Sequence, residues 1–198
     1  MDEPLSIARS ELILGGQKSG KSRRAELLAH DWLLASPQHY AVLIATAQPW
    51  DDEMRVRIAR HQADRALRVP SMTTVEEPLK LAEAIQRHSR ATTLVVVDCL
   101  TLWLTNLLMP ARGEEFEQNR SPVLFAKTSI ADLLAAIETA PGPVVLVGNE
   151  IGLGVIPLGA EVRSFVDALG QLNQTVARVC QRVTLMAAGL PLTLKDGP

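Results

Sequence analysis

The segment ELILGGQKSGKSRRAELLAH, Glu11 to His30, places Gly15, Gly20, Lys21 and Ser22 at the G-x-x-x-x-G-K-[ST] spacing of a phosphate-binding loop. Glycines let the backbone through Gly15, Gly16, Gln17, Lys18, Ser19 and Gly20 curl so that successive N–H groups point at phosphate oxygens. The helix that follows adds its positive end, Lys21 neutralises charge, and the Ser22 hydroxyl suits Mg²⁺. The spacing predicts a phosphate cradle. It does not say whose phosphates, because motors, switches and kinases share this loop.

Three further stretches could do chemistry. Asp98 ends the apolar run LVVVD, where a carboxylate beside a phosphate loop could hold Mg²⁺ or cap the helix expected from Leu100; the two roles are compatible. In ATAQPWDDEMRVRIARHQADR, Asp51, Asp52 and Glu53 open a helix, and Arg57 and His61 fall four residues apart on one face. His61 sits among the cationic Arg57, Arg60 and Arg65 and offers a ring nitrogen for attack on phosphorus; an ordinary surface histidine fits the same spacing. Asn149 and Glu150 follow the run VVLVG at what would be the carboxyl end of a strand, where open α/β sheets bind ligands. His30, His39 and His88 lack metal-ligand spacing, so no zinc site is expected.

The elements that must position these residues read as α/β. Short, continuously apolar runs begin at Glu11, Tyr40, Thr93, Pro143 and Arg182, as expected of strands buried on both faces of a parallel sheet. Between them, helical periods fit Lys21–Leu34, Asp51–Ala66, Pro78–His88, Leu100–Met109, Pro122–Thr139 and Ala160–Gln181. In the last, Val162, Phe165, Leu169, Leu172, Val176 and Val179 form an apolar stripe that predicts core packing or a subunit contact. A final GLPLTLK suggests an antiparallel edge strand, Trp103 a core residue, and Pro110–Pro122 a polar, mobile loop.

The chain has 198 residues, 47% of them hydrophobic, which suits one substantial core and predicts a single P-loop nucleotide-binding domain over residues 1–198. A net charge of -2 gives no basic surface for nucleic acid. Cys99 and Cys180 lie apart in apolar segments and predict buried free thiols, which points to a reducing, cytoplasmic setting. The N-terminal MDEPLSIARS lacks an apolar signal core, and no run approaches the roughly 18 apolar residues of a membrane span.

Taken in order, LGGQKSGKSRRAE, IATAQPWDDEMRVRIARHQADR, VVVDCLTLWLTNLL, VGNEIGLGVIP and GQLNQTVARVCQRVTLMAAGLPLTLK resemble the bifunctional adenosylcobinamide kinase/adenosylcobinamide-phosphate guanylyltransferase family of cobalamin biosynthesis, from Leu12 to Lys195. The resemblance implies a RecA-like P-loop fold, a homotrimer and two reactions. Adenosylcobinamide is phosphorylated from ATP or GTP; GTP then gives GMP to a histidine, which passes it to adenosylcobinamide phosphate to make adenosylcobinamide-GDP. By the same match His61 is the guanylylated nucleophile, and Gln62, Ala63, Asp64 and Arg65 line the GMP site. Glu76 holds the ribose or base. Ala45, Thr46, Ala47 and Asp98 face the phosphates or metal, and Ser22 and Asp98 serve Mg²⁺.

The chain departs from the family pattern at three places: Met72 stands where a tryptophan is common, Leu158 where a glutamate is, and Val166 where an arginine is. These departures bear on guanine or corrinoid contacts. A monofunctional small-molecule kinase and a RecA-like ATPase or switch are the alternative readings.

Overall fold

The computed structural model describes residues 6–109 and 122–197. Its strands are β1 (Ser10–Gly15), β2 (Tyr40–Ala45), β3 (Thr73–Glu76), β4 (Thr93–Asp98), β5 (Val144–Val147), β6 (Arg182–Ala187) and β7 (Leu190–Asp196). The helices are α1 (Lys21–Ala35), α2 (Asp52–Arg68), α3 (Leu81–His88), α4 (Leu100–Leu108), α5 (Pro122–Thr139) and α6 (Ala160–Val179). One seven-stranded sheet runs β3-β2-β4-β5-β1-β6-β7. Every pairing is parallel except that of β6 with β7.

Period-two alternation divides the apolar strands between two cores. On one face Val95 and Val97 of β4 and Leu12 and Leu14 of β1 pack with α3, α4, α5 and α6, including Trp103, which is fully buried and donates Nε1–H to Leu79 O at 2.9 Å. On the other, Leu94, Val96 and Ile13 meet Ala25, Leu28 and Ala29 of α1. Each such aliphatic side chain contributes about 1.5–3 kcal/mol through burial. Leu169, Leu172 and Val176 of the α6 stripe are core residues, whereas Val162 is exposed.

Local chemistry sets several boundaries. Asp51 caps α2 by accepting the Met54 N–H at 2.7 Å. The third helix begins at Leu81 rather than Pro78, because the Glu77 carboxylate takes up the N–H groups of Leu79 and Lys80 in the preceding turn. The last helix stops at Val179, before the extended Cys180. Ala188 and Gly189, both with positive φ, make the tight turn between β6 and β7. Strand β3 is an element that the apolar runs do not predict; as an outer strand it is largely exposed and reads TTVE. The polar loop expected at Pro110–Pro122 lies outside the described residues but for its last position, where α5 begins.

Behind the carboxyl edge, Glu11 of β1 is 1% exposed and ties three elements together. Its Oε1 accepts from Arg24 Nε at 3.0 Å and from Thr184 Oγ1 at 2.8 Å, while Arg182 Nη1 lies 3.6 Å from Oε2. Glu11→Ala removes the carboxylate from the partly buried Arg24 and leaves Arg182 only its pairing with Asp196 and Ser6 O, and urea denaturation is expected to show a loss of about 3 kcal/mol. Glu11→Gln, which can still accept from Thr184, loses less.

Candidate functional site

The glycine loop joins β1 to α1 and adopts the backbone its spacing predicts. Gly15 has φ +152°, and a Cβ there would stand 2.4 Å from Met186 O and 2.6 Å from Ser19 Oγ. Gly20 caps α1 in the left-handed region at φ 101°. From the β6–β7 turn, the Gly189 N–H donates to Ser19 O at 3.0 Å and braces the loop from behind. Gly16, Gln17 and Lys18 face solvent, Ser19 is buried, and Lys18 sits in the left-handed region at φ 56°.

Lys21 is a buried cation at the start of α1. Its Nζ donates to Gly16 O at 2.5 Å and to Ser19 Oγ at 3.4 Å, so the ammonium is held beneath the loop. Burial pushes its pKa below the usual lysine value; the nearby Cys99 and Asp98 oppose that shift. Burial is also the main reason the Cys99 thiol is pushed up to about 12, with Asp98 adding to it. Cys180 is likewise raised to about 12 by burial, so both cysteines are buried free thiols, as expected.

Asp98 ends β4, paired in register with Ala45 of β2 and Val147 of β5. The helix that follows is capped at Cys99 without a side-chain hydrogen bond, so the Asp98 carboxylate is not spent on the cap. Thr46 lies at the same edge, fully buried. Its Oγ1 donates to Cys99 O at 2.7 Å and accepts from Cys99 N–H at 2.9 Å. Its carbonyl accepts from Asn106 Nδ2 at 2.8 Å, and its N–H donates to Asp98 O at 3.2 Å. The Thr46 side chain therefore faces the backbone beside Asp98 rather than the space above the loop.

Ser22, half-buried in the first turn of α1, and Asp98 offer the hard oxygen donors that Mg²⁺ requires. Among the described residues no group of three or more His, Cys, Asp or Glu could hold a metal ion. That donor set fits a cation completed by phosphate oxygens and water.

Asn149 and Glu150 follow β5 at the same edge. The Glu150 N–H donates to Gly15 O at 3.1 Å, the Asn149 N–H to Thr101 Oγ1 at 2.9 Å, and Asn173 Nδ2 of α6 to Asn149 O at 3.0 Å. Sequence reasoning missed Thr101, Asn106 and Asn173 as the groups that fix this edge. Their signal was polar residues at buried positions of otherwise apolar helical faces.

His61, Gln62 and Ala63 are exposed on α2, Asp64 is half-buried, and Arg65 is the buried residue of that helix. Arg68 Nη1 pairs with the buried Glu26 of α1 at 2.6 Å and fastens the last turn of α2. Glu76 is exposed at the end of β3, one strand outward from Ala45. Ala45 and Ala47 are half-buried on either side of Thr46. The buried Met72 packs with Val69 and α1 in the second core. His39 stacks on Trp32 at 3.7 Å and His30 neighbours Asp31, away from the loop.

Residues 11–194 match the family described as cobinamide kinase / cobinamide phosphate guanyltransferase. The chain is 45% identical over 188 residues to the bifunctional adenosylcobalamin biosynthesis protein CobP of Pseudomonas aeruginosa, covering 95% of this chain and 98% of that one. It is 34% identical over 187 residues to the bifunctional adenosylcobalamin biosynthesis protein CobU of Escherichia coli, covering 93% and 98%. Among solved structures it resembles the flagellar accessory protein FlaH of Methanocaldococcus jannaschii, with a TM-score of 0.51, 11% identity, and coverage of 98% of this chain and 80% of that one. That likeness concerns the fold alone, a RecA-like P-loop sheet.

The Thr46 contacts yield a test of how the edge is built. Thr46→Val preserves volume but leaves the buried Cys99 N–H without its partner, while Cys99 O keeps only the Trp103 N–H at 3.1 Å, and urea denaturation is expected to show a loss of about 1–3 kcal/mol. Thr46→Ser retains the hydroxyl and most of the stability.

Proposed function

The chain belongs to the cobinamide kinase / cobinamide phosphate guanyltransferase family, and on that premise we propose that one phosphate loop serves both activities, with His61 as the covalent carrier of GMP. The protein is thus a cobinamide kinase and a cobinamide phosphate guanylyltransferase, using ATP or GTP as substrates. The observation that supports the shared site is the convergence of the loop, Asp98 and Glu150 on the carboxyl edge of β1, β4 and β5.

In the kinase step the cobinamide hydroxyl attacks the γ-phosphorus of a nucleoside triphosphate and the bond to the nucleoside diphosphate breaks. The loop amides of Gly15 to Ser22 and the Lys21 ammonium stabilise the charge on the phosphate oxygens. Mg²⁺, held by Ser22 and by Asp98 directly or through water, supplies further neutralisation when bound.

In the transferase step a ring nitrogen of His61 attacks the α-phosphorus of GTP. The P–O bond to pyrophosphate breaks and a P–N bond forms. An oxygen of cobinamide phosphate then attacks the same phosphorus, the P–N bond breaks, and the imidazole is regenerated. A phosphoramidate is a labile carrier, so one difficult displacement becomes two easier ones. The exposed ring on α2 suits a nucleophile that must meet two substrates in turn. Gln62 to Arg65 and Glu76 hold the guanosine, while Thr46, with Ala45 and Ala47, sets the strand end beneath the phosphates. The working unit on this reading is a single P-loop domain that assembles as a homotrimer in the cytoplasm and acts on the adenosylated corrinoid.

Incubation with GTP labelled at the α-phosphate is expected to leave an acid-labile, base-stable label on the protein. His61→Ala abolishes it while kinase turnover with cobinamide and ATP persists; a folded variant that still takes the label would sink the histidine assignment. Lys21→Ala is expected to reduce both reactions by about 100-fold or more, the scale of losing one charge-stabilising group. Because burial lowers the Lys21 pKa, the free protein loses this proton earlier than an ordinary lysine as pH rises. GTP affinity, measured by titration calorimetry across alkaline pH, therefore weakens below the usual lysine range, and Lys21→Ala lacks that limb.

A further inference from the structure

Beside the phosphate loop lies a cleft of about 920 Å³, at the upper end of the range for small-molecule sites. One wall is the segment after β5, the second is α6, and the third is β7 through Leu194 and Lys195. Leu14 and Glu150 line its inner end, and these are the residue before Gly15 and the residue whose N–H donates to Gly15 O. The cleft therefore reaches the loop beneath α6, between the segment that leaves β5 and strands β6 and β7, whereas α2 follows β2, farther out on the other half of the sheet.

Its surface is unusual for exposed protein. Leu153, Val155 and Ile156 are 79%, 96% and 77% exposed, a run of apolar side chains that water does not favour. Across from them α6 presents a polar stripe, Arg163, Asp167, Gln171 and Gln174, at helical steps of four and three. A nucleotide needs cationic and backbone N–H groups, which the loop supplies and this cleft mostly lacks. Apolar area opposite a stripe whose later half is the neutral amides Gln171 and Gln174 matches a large, flat macrocycle with amide groups around its rim, which is the chemistry of cobinamide. Val166, one of the departures from the family pattern, lines the same wall, which makes it less charged here.

We propose that this cleft seats the corrin macrocycle of cobinamide, its apolar face on Leu153 and Ile156 and its amide rim on Gln171 and Gln174, with the hydroxyl arm running past Glu150 to the loop. The assignment rests on the cobinamide reading above and adds the location. It also orients the kinase step: the hydroxyl enters from the cleft and the departing nucleoside diphosphate lies on the loop, as an in-line displacement requires.

Gly170 provides the test, because it lines the cleft and a Cβ added there meets no atom within 4 Å outside its own helix backbone. Gly170→Trp is expected to fill the cleft and raise the KM for cobinamide at least tenfold, while α-labelled GTP still modifies the protein as in wild type. Gln174→Trp, from an exposed position one turn on, does the same should Gly170→Trp fail to fold. Direct binding of cobinamide, followed by its visible absorbance in ultrafiltration, falls in parallel. Unchanged cobinamide affinity in both folded tryptophan variants overturns the proposal. Unchanged affinity with a fall in assembly mass by light scattering also overturns it, and gives the face to a second copy of the chain. If wild type takes no label from GTP but the tryptophan variants lose cobinamide binding, the histidine assignment fails and the cleft stands. A wild-type protein that does not bind cobinamide removes the substrate reading and the cleft together.

Discussion

The reciprocal hydrogen bonds between Thr46 Oγ1 and the Cys99 backbone hold the carboxyl ends of β2 and β4 in one arrangement. Asp98 projects from the strand end that this contact fixes, and Asn106 extends the brace by donating to both Thr46 O and Pro78 O. None of these groups can be exchanged for an apolar side chain of equal size without leaving a buried backbone partner unmatched, at a cost of about 1–3 kcal/mol. The reach of the carboxylate is thus set by buried polar contacts beneath it. The surface above is left to the ligand.

A related economy governs Lys21. In the free protein its ammonium donates to Gly16 O and Ser19 Oγ, inside the loop that phosphate would occupy. Burying the charge lowers the pKa, yet the ammonium stays beside Asp98 and Cys99. A cation placed in a dehydrated setting before the phosphates arrive interacts with them more strongly than a solvated one, and little reorganisation remains at the moment of reaction. The sheet supports this by tying Glu11, at the other end of β1, to Arg24 of the helix that begins with Lys21.

Much of the fold was readable because a parallel sheet buried on both faces writes itself as uninterrupted apolar runs. All five such runs are strands, and the edge strand from Leu190 pairs antiparallel as its position suggested. Strand β3 escaped because an outer strand need not be apolar, and Thr73, Thr74 and Val75 carry only the weaker signal of β-branching. The loop was legible for a different reason: its backbone demands glycine at Gly15 and Gly20 whatever the neighbours are. His61 was not, since an exposed histidine on a charged helix has no local mark; family resemblance singled it out. Thr101, Asn106 and Asn173 act through contacts between 24 and 60 residues apart in sequence, so a local pattern can mark them as polar residues on apolar faces but cannot name their partners.

The strand order explains how one loop can face two ligands. β1 lies within the sheet, between β5 and β6, so the loop after it has two flanks. Toward β2 and β4 lie Asp98, Thr46 and the helix that carries His61; on the other flank lies the cleft under α6, which reaches β6 and β7 and is walled by the segment that leaves β5. Displacement at phosphorus needs the incoming and departing oxygens on opposite sides, and a loop at an edge of the sheet would offer only one. The proposed division assigns the nucleotide to the first flank and the acceptor to the second. The hydrogen bond from Glu150 N–H to Gly15 O is where the acceptor's flank is fastened to the loop, so the position of the cleft is fixed by the same backbone that binds phosphate.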